Sequence, residues 1–498
     1  MIDHPISPET PKTSVRDRNT CEQTAGKGCR TCARRRILCD RTLPTCRKCS
    51  SKGLGCPGYQ RQLRWTSAVA VRGPLKHLSP AEAFNARSLT DKPKLSENPH
   101  GDRPTPNVAI EPEPQIPTFS LDRPVIDRFF EYYASHIAPM MVWLDSDANG
   151  YRRLILPMAE QHLILRLAIC AISAAHMPQE PQYGLKFSSA TGDATMAMIA
   201  AHVRQINNSL EVGGNGSAGG ENRSLECTLA AMLILANQSL LGSELPLARF
   251  HRQAARVMLE RLSSQRSPSD ELFAFLKNQL ALCDILMCTT MFDAEHIHTV
   301  ILPEFANGDV ILGRFLTIVH RITRRSLDIV AVDALRDDDA YLDELESELE
   351  LAQGPSLMVA GQMISQRSQS AKEDFTRLIH VFHHAGVLYA CQRLRLGMGF
   401  RAQFHLDKLF RSLKQFHNVK AVLHNLAWPV FIAGICDWTT PEQKATISEI
   451  CGAMSMHTGF GHYSRIQLFL QDLWQTPHKN WILLAKGWEA EGNPVVAV

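Results

Sequence analysis

Six cysteines between Cys29 and Cys56 carry the clearest chemistry in this 498-residue chain. They form two identical halves: Cys29, Cys32 and Cys39 are spaced C-x2-C-x6-C, and Cys46, Cys49 and Cys56 repeat that spacing seventeen residues later. A tetrahedral zinc takes four ligands, so one metal would leave two thiols idle. Two metals need eight ligand positions, which six thiolates fill only if two of them bridge. The duplicated pattern suggests one bridging cysteine from each half. The spacing therefore predicts a binuclear cluster with two Zn2+ per chain. Three disulfides in so short a segment would suit a secreted miniprotein. Met1 to Thr13 is polar and proline-rich, however, with no apolar signal region. The spacers are too long and too basic for a metallothionein-like store.

Charge is concentrated around these cysteines. Gly26 to Trp65 holds eleven Lys or Arg and one acid, Asp40. Six thiolates and two zinc ions together add two negative charges, so the metallated segment is about +8. The whole chain is only +3, leaving the other 458 residues at −7. Local basicity on a neutral-to-acidic body is the electrostatic footprint of a phosphate-binding module. A short helix over Cys32 to Leu38, held at both ends by metal, could enter a major groove, where a guanidinium forks onto guanine.

The segment resembles the DNA-binding domain of the fungal Zn2Cys6 binuclear zinc cluster transcription factors, at all six cysteines, at Asp40 and at Pro44. The resemblance implies that the first and fourth cysteines bridge. Cys29, Cys32, Cys39 and Cys46 would then hold one zinc, and Cys29, Cys46, Cys49 and Cys56 the other. It also implies reading of CGG-type triplets, with Arg35 and Arg36 on base edges. Arg34, Arg30, Arg41, Arg47 and Lys48 would position the module on phosphates. The chain departs from the family pattern at Ala33, where a basic residue is usual, and at Leu38, where a lysine is usual. Lys27, Lys52, Arg61 or Arg64 would have to supply the missing phosphate contacts.

The rest of the chain must position and regulate this module. Residues 1–25 have too few apolar side chains to bury a core and read as a disordered arm. The module itself is placed at 26–65, closed by Pro57-Gly58-Tyr59. Residues 66–118 read as a flexible linker rich in Pro, Asn, Asp and Ser, with one short helical possibility at Pro80 to Leu89. No apolar heptad run occurs there, so a homodimer would have to form through the large domain, or the module binds as a monomer.

Residues 119–498 show dense helical patterning with little strand alternation, which predicts a large all-α domain. Expected helices begin at Asp122-Arg123-Pro124 and run over Glu160 to Met177, Leu225 to Leu241 and Gln279 to Phe292. Others cover Ile311-Leu312 to Val330, Asp374 to Leu396, Leu406 to Leu426 and Ile466 to Trp474. The uncharged run after Arg166 is too short to cross a bilayer, so Glu160 to Met177 is expected to be a core helix, and no membrane partner is implied. Val212 to Asn222 is expected to be a glycine-rich loop.

Residues 121–490 resemble the regulatory domain of the arginine-metabolism and acriflavine-resistance subgroup of the same family. The carrying stretches are Phe129-Phe130-Glu131-Tyr132-Tyr133, Leu156-Pro157-Met158-Ala159, Ala174-Ala175-His176, Trp428-Pro429-Val430-Phe431-Ile432-Ala433-Gly434 and Asp472-Leu473-Trp474.

Other motifs carry less. Gly214 to Gly219 fits G-x-G-x-x-G by letters, but no strand precedes it. His380, His383 and His384 share helical spacing without an evident carboxylate partner, and read as ordinary core and surface histidines of a packed helix, as do His296 and His298. The eight cysteines outside the cluster, Cys21 included, show no C-x2-C pairing, and most lie on apolar helices where a thiol packs as a small hydrophobe. Asp333 to Glu350 holds nine acids. Acidic-hydrophobic composition can engage coactivators, but Leu342, Leu345 and Leu349 form a helical stripe that favours an amphipathic helix of the domain.

With no constellation of nucleophile, base or catalytic metal, an enzyme is not expected. The resemblance implies a nuclear regulator of RNA polymerase II transcription, acting on a metabolic or secondary-metabolite pathway. Its partners would be double-stranded DNA and coactivators or corepressors. The alternative is an interaction protein whose degenerate zinc module no longer binds DNA.

Overall fold

The computed structural model describes residues 28–42, 45–56, 122–177, 185–212, 218–263, 270–305, 308, 310–328, 338–364, 367–397, 399–476 and 480–498. The arm, the linker, Pro44, Lys27, Arg61 and Arg64 lie outside them. The chain divides into two units, Met1–Thr66 and Ser67–Val498.

In the first unit a short helix follows the leading cysteine of each half: α1 is Arg30–Arg34 and α2 is Arg47–Ser50. Cys29 and Cys46 are their N-caps, and each Sγ accepts the N–H of the cysteine three residues on. Helices of five and four residues cannot persist alone. The ligand spacing, not helix propensity, makes them. α1 is shorter than the two turns expected over Cys32 to Leu38. Arg36 takes the left-handed conformation at φ 54°, and the Ile37 N–H reaches back 3.1 Å to the Cys32 carbonyl. The six-residue spacer has to turn there so that Cys39 returns to the cluster.

The described elements of the second unit are all helical. α3 is Arg123–Tyr132, α4 Leu156–Gln161, α5 Leu163–His176, α6 Leu185–Val212 and α7 Ala218–Leu241. α8 is Leu245–Ser263, α9 Glu271–Cys288, α10 Ala294–His298, α11 Gly313–Asp328 and α12 Asp338–Leu351. α13 is Gln353–Met363, α14 Gln369–Leu394, α15 Phe400–Lys414, α16 Ala427–Gly434 and α17 Pro441–Thr458. α18 is His462–Gln475 and α19 Trp481–Ala490.

The core is built around α14 and α16. All eight residues of α16 are buried, so the apolar run Trp428 to Ala433 is an interior helix. Trp428 stacks on Phe382 with ring centroids 5.8 Å apart and meets Phe315 and Tyr389 edge-on. Its indole N–H donates to Thr289 Oγ1 at 3.1 Å. Gly434 lets α18 close in, because a Cβ there would lie 2.6 Å from Leu470 Cδ1. Trp428→Ala would remove a filled aromatic site and orphan the Thr289 contact. A loss of about 3–5 kcal/mol is expected, readable as a lower urea midpoint with an unchanged slope.

Distant parts of the unit are clasped together. The His424 Nε2 lies 3.1 Å from the Val142 carbonyl, and Asn425 Nδ2 donates to the Trp143 carbonyl at 2.9 Å. His176 Nε2 lies 2.7 Å from the Thr458 carbonyl.

Several boundaries differ from expectation. Leu406 to Leu426 is not one helix: α15 stops at Lys414, and a 3-10 turn covers Val419–Asn425. The break is stabilised by Asp374, whose carboxylate accepts the N–H groups of His417 and Asn418, both at 2.8 Å. Glu160 to Met177 is interrupted at His162, whose extended backbone separates α4 from α5. The glycine-rich loop is shorter than Val212 to Asn222, since α7 already begins at Ala218. From Asp338 on, the acidic segment forms α12, with Leu342, Leu345 and Leu349 fully buried; Asp333 to Asp337 lie outside the described residues. Among the described residues one helical stretch, Arg223–Leu241, is long and apolar enough to cross a bilayer, but 72% of its most apolar window is buried inside the fold.

Candidate metal centre

The six cysteines converge. Cys29, Cys32, Cys39 and Cys46 offer sulfurs that all lie within 4.8 Å of one another, and so do Cys29, Cys46, Cys49 and Cys56. Cys29 and Cys46 belong to both groups. Their Sγ atoms are 3.6 Å apart, Cys32 Sγ lies 3.6 Å from Cys46, and Cys49 Sγ lies 3.7 Å from Cys29. Tetrahedral zinc with bonds of about 2.3 Å places its sulfurs about 3.8 Å apart. The donor set and spacing therefore fit two zinc ions sharing two thiolates.

The two halves repeat each other in their hydrogen bonds as well as their sequence. Cys29 N–H donates to Cys39 Sγ at 3.4 Å, and Cys46 N–H donates to Cys56 Sγ at 3.5 Å. Cys32 N–H and Cys49 N–H donate to the sulfurs of Cys29 and Cys46 at 3.4 and 3.3 Å. Such donors favour thiolate over thiol. Cys29, Cys32, Cys46 and Cys49 are almost fully buried. Without a cation, burial pushes the thiols of Cys32, Cys46 and Cys49 up to about 12. Burial also acts on Cys39, but the N–H groups of Cys29 and Arg41 outweigh it and bring that thiol down to about 7. Metal binding must therefore displace protons, which couples occupancy to pH.

Asp40 ties the halves together. Its Oδ1 accepts the Arg47 N–H at 3.0 Å and its Oδ2 the Lys48 N–H at 2.8 Å, so it caps α2 from the other half. The Thr42 hydroxyl, with the backbone N–H groups of Lys48, Thr42 and Arg47, holds its carboxyl well below the usual range. Thr31 Oγ1 adds a second tie to the Gly55 carbonyl at 3.0 Å.

Arg34, Arg35 and Arg36 are exposed, as are Arg41, Arg47 and Lys48. Arg30 lies in α1. The Lys48 ammonium donates to the Leu38 carbonyl at 2.7 Å, so it spends one of its three donors on the module itself. Leu38 is 79% exposed.

Sequence spacing missed one polar cluster in the second unit. His380 is exposed, but His383 and His384 are joined by His405 from α15. His384 Nδ1 and His405 Nδ1 are 3.1 Å apart, and His405 Nε2 lies 3.2 Å from Glu346 Oε1. Burial, followed by the neighbouring imidazoles, pushes His384 down to about 3. It does the same to His405, at about 4. The positive charges of Arg401 and Lys408 lie close enough to add to these shifts and oppose a further cation, so the cluster is a hydrogen-bonded core feature. Its partners come from three helices, which no local pattern reveals.

Fold and cluster together define a zinc-cluster regulator with a large helical body. Residues 27–66 match the fungal Zn(2)-Cys(6) binuclear cluster domain, and residues 128–489 match the fungal specific transcription factor domain. The chain belongs to that family of fungal transcription factors. It is 34% identical over 70 residues to the arginine metabolism regulation protein II of Saccharomyces cerevisiae, covering 14% of this chain and 8% of that one. It is also 34% identical over 87 residues to the acriflavine sensitivity control protein of Neurospora crassa, covering 16% of this chain and 14% of that one. The matched regions are thus a small part of either relative. No solved structure matches the chain.

Proposed function

We propose that this protein is a nuclear, sequence-specific regulator of RNA polymerase II transcription, controlling a metabolic or secondary-metabolite pathway. The six cysteines Cys29, Cys32, Cys39, Cys46, Cys49 and Cys56 hold two zinc ions, with Cys29 and Cys46 bridging. Arg35 and Arg36 read CGG-type triplets in the major groove. Arg30, Arg34, Arg41, Arg47 and Lys48 set the module on phosphates. The helical body regulates the module and engages coactivators or corepressors, and it performs no catalysis. The observation that carries this reading is the exposed Arg34 to Arg36 run, held between two ligands of the six-cysteine cluster.

Fluorescence anisotropy of the zinc-loaded chain on duplexes with no, one or two CGG triplets tests it. Arg35→Lys keeps the charge and loses the fork. It should weaken CGG binding by roughly 5- to 150-fold while leaving binding to other duplexes nearly unchanged. Arg34→Ala should weaken all duplexes alike and lower the salt slope by about one. The one-versus-two triplet comparison separates monomeric from paired half-site use.

The second reading is an interaction protein that has lost DNA binding. It draws support from Ala33 and Leu38, where the family usually carries basic residues, and from the Lys48 contact to the Leu38 carbonyl. Weak binding, equal on every duplex and abolished by moderate salt, would favour it.

A further inference from the structure

The second unit contains a cavity of about 130 Å³, and one of its walls is the half-buried segment Met140 to Trp143. The contacts of His424 and Asn425 to the Val142 and Trp143 carbonyls hold that wall, and both residues also line the cavity. Phe460 and Tyr463 add aromatic surface.

Three side-chain amides line this space with hydrogen-bonding capacity unused. The amide of Asn237, from α7, makes no hydrogen bond among the described residues. Gln279, from α9, accepts only the Tyr151 hydroxyl, at 3.4 Å, which is long for an O–H···O bond. Its NH2 group has no partner among the described residues. Asn425 donates its Nδ2 to the Trp143 carbonyl, which fixes the orientation of its amide and leaves Oδ1 as an acceptor. None of these unused atoms is sealed from solvent, whereas Nε and Nη1 of Arg252 are.

Charge does not select the occupant. Arg252 borders the cavity, but Asp284 Oδ1 lies at ion-pair distance, 3.6 Å. Burial holds His424 below its usual value and His462 at about 4, and it keeps Tyr151, Tyr463 and Cys283 protonated. The Val498 oxygen, 3.1 Å from His462 Nε2, adds negative potential to the same lining. An anion entering here would lose its hydration without gaining a counter-ion. A neutral molecule avoids that cost.

We propose that this cavity binds a small neutral aromatic amide, its ring against Met141, Trp143 and Phe460 and its amide edge on Asn237, Gln279 and Asn425. An amide presents an acceptor and a donor on one planar edge, the combination that side-chain amides complement. Water can meet the amides but not the aromatic wall, so a ligand with both parts gains by displacing it. Size limits the body to about one ring, since an engineered apolar cavity of about 150 Å³ accepts benzene. Such a ligand becomes a regulatory signal only through the transcription-factor reading above, on which that consequence rests; binding itself does not depend on it.

Isothermal titration of the full zinc-loaded chain with benzamide, benzoate and acetamide tests the assignment. Benzamide should bind one per chain, at least about tenfold tighter than its isosteric anion benzoate. Acetamide, which lacks the ring, should not bind at the same concentrations. Asn237→Leu removes one hydrogen-bonding partner and should weaken benzamide by about 2- to 10-fold. Met141→Trp, which puts a second ring into the space, should weaken it further. The proposal is overturned if benzamide does not bind at millimolar concentration, or if benzoate or acetamide binds as well. A folded Asn237→Leu chain with unchanged benzamide affinity would overturn it too. If either variant fails to fold, the three-probe comparison on the unaltered chain still decides. CGG-duplex anisotropy on the same preparation keeps the two readings apart. DNA binding without benzamide binding sinks the cavity alone, and the reverse sinks the DNA reading alone.

Discussion

Cys29→Ala or Cys46→Ala is expected to empty both metal positions, whereas Cys56→Ala empties mainly one. Cys29 and Cys46 are the two cysteines common to both four-sulfur groups. Each also caps one of the two short helices through its sulfur. Removing either leaves each zinc with three ligands and frees the cap of α1 or α2. Structural zinc contributes roughly 10–16 kcal/mol of apparent binding energy in small zinc domains. That exceeds anything the rest of so small a unit can supply. Metal loss therefore means loss of the module's fold and of DNA binding with it. Zinc content per chain should read near two for the parent, near zero for the Cys29 and Cys46 variants, and near one for Cys56→Ala. Full occupancy in the Cys29 variant would remove it from the bridging role.

The helical unit should lose stability steeply as pH falls below about 6.5, the ordinary value for histidine. Burial holds His251, His405 and His462 down at about 4 and His384 at about 3, and burial with the adjacent Arg256 holds His296 at about 3. The folded pKa lies below the unfolded one in every case. Between the two values the unfolded chain binds protons that the folded chain excludes, so stability falls with falling pH and is restored as pH rises through 6.5. The limit is about 1.4 kcal/mol per imidazole for each pH unit. Even half of that, over five imidazoles, reaches several kcal/mol by about pH 5.5, a large share of the 5–15 kcal/mol typical of a folded domain. Far-UV circular dichroism melts at pH 7.5, 6.5 and 5.5 should show Tm falling by about 4–9 °C, since a domain of this size unfolds with an entropy of about 0.8 kcal/mol/K. The two zinc-module helices total nine residues, so the signal reports the helical unit. A Tm that holds constant down to pH 5 would show that these histidines are not excluded from protonation.

What could be read from the sequence was whatever is local. The six-cysteine spacing specifies a metal geometry within 28 residues, and the sulfurs meet as that spacing implies. The buried run Trp428 to Ala433 and the stripe Leu342, Leu345 and Leu349 likewise needed only the apolar pattern. Features made by distant partners were not legible. The end of α15 is stabilised by Asp374, more than forty residues earlier, which captures the N–H groups of His417 and Asn418. His405 joins His383 and His384 from another helix, and Glu346 supplies the carboxylate that spacing could not show. Arg252 looks like one more arginine on an amphipathic helix until Asp284 is seen to be shared with Arg256. The left-handed Arg36 shortens α1 for a reason that lies in the return of Cys39, not in helix propensity.

The clasp between Val142–Trp143 and His424–Asn425 joins partners 282 positions apart. Contacts of such separation form late, because the intervening chain must exist and be closed into a loop first. At ribosomal rates of about 5–20 residues per second, the roughly 400 residues between Cys56 and Thr458 take on the order of 20–80 s to emerge. The cysteine module, whose ligands span only 28 residues, is complete throughout that interval. During each synthesis all six ligands of the metal-binding module have therefore been made well before the helical unit can close.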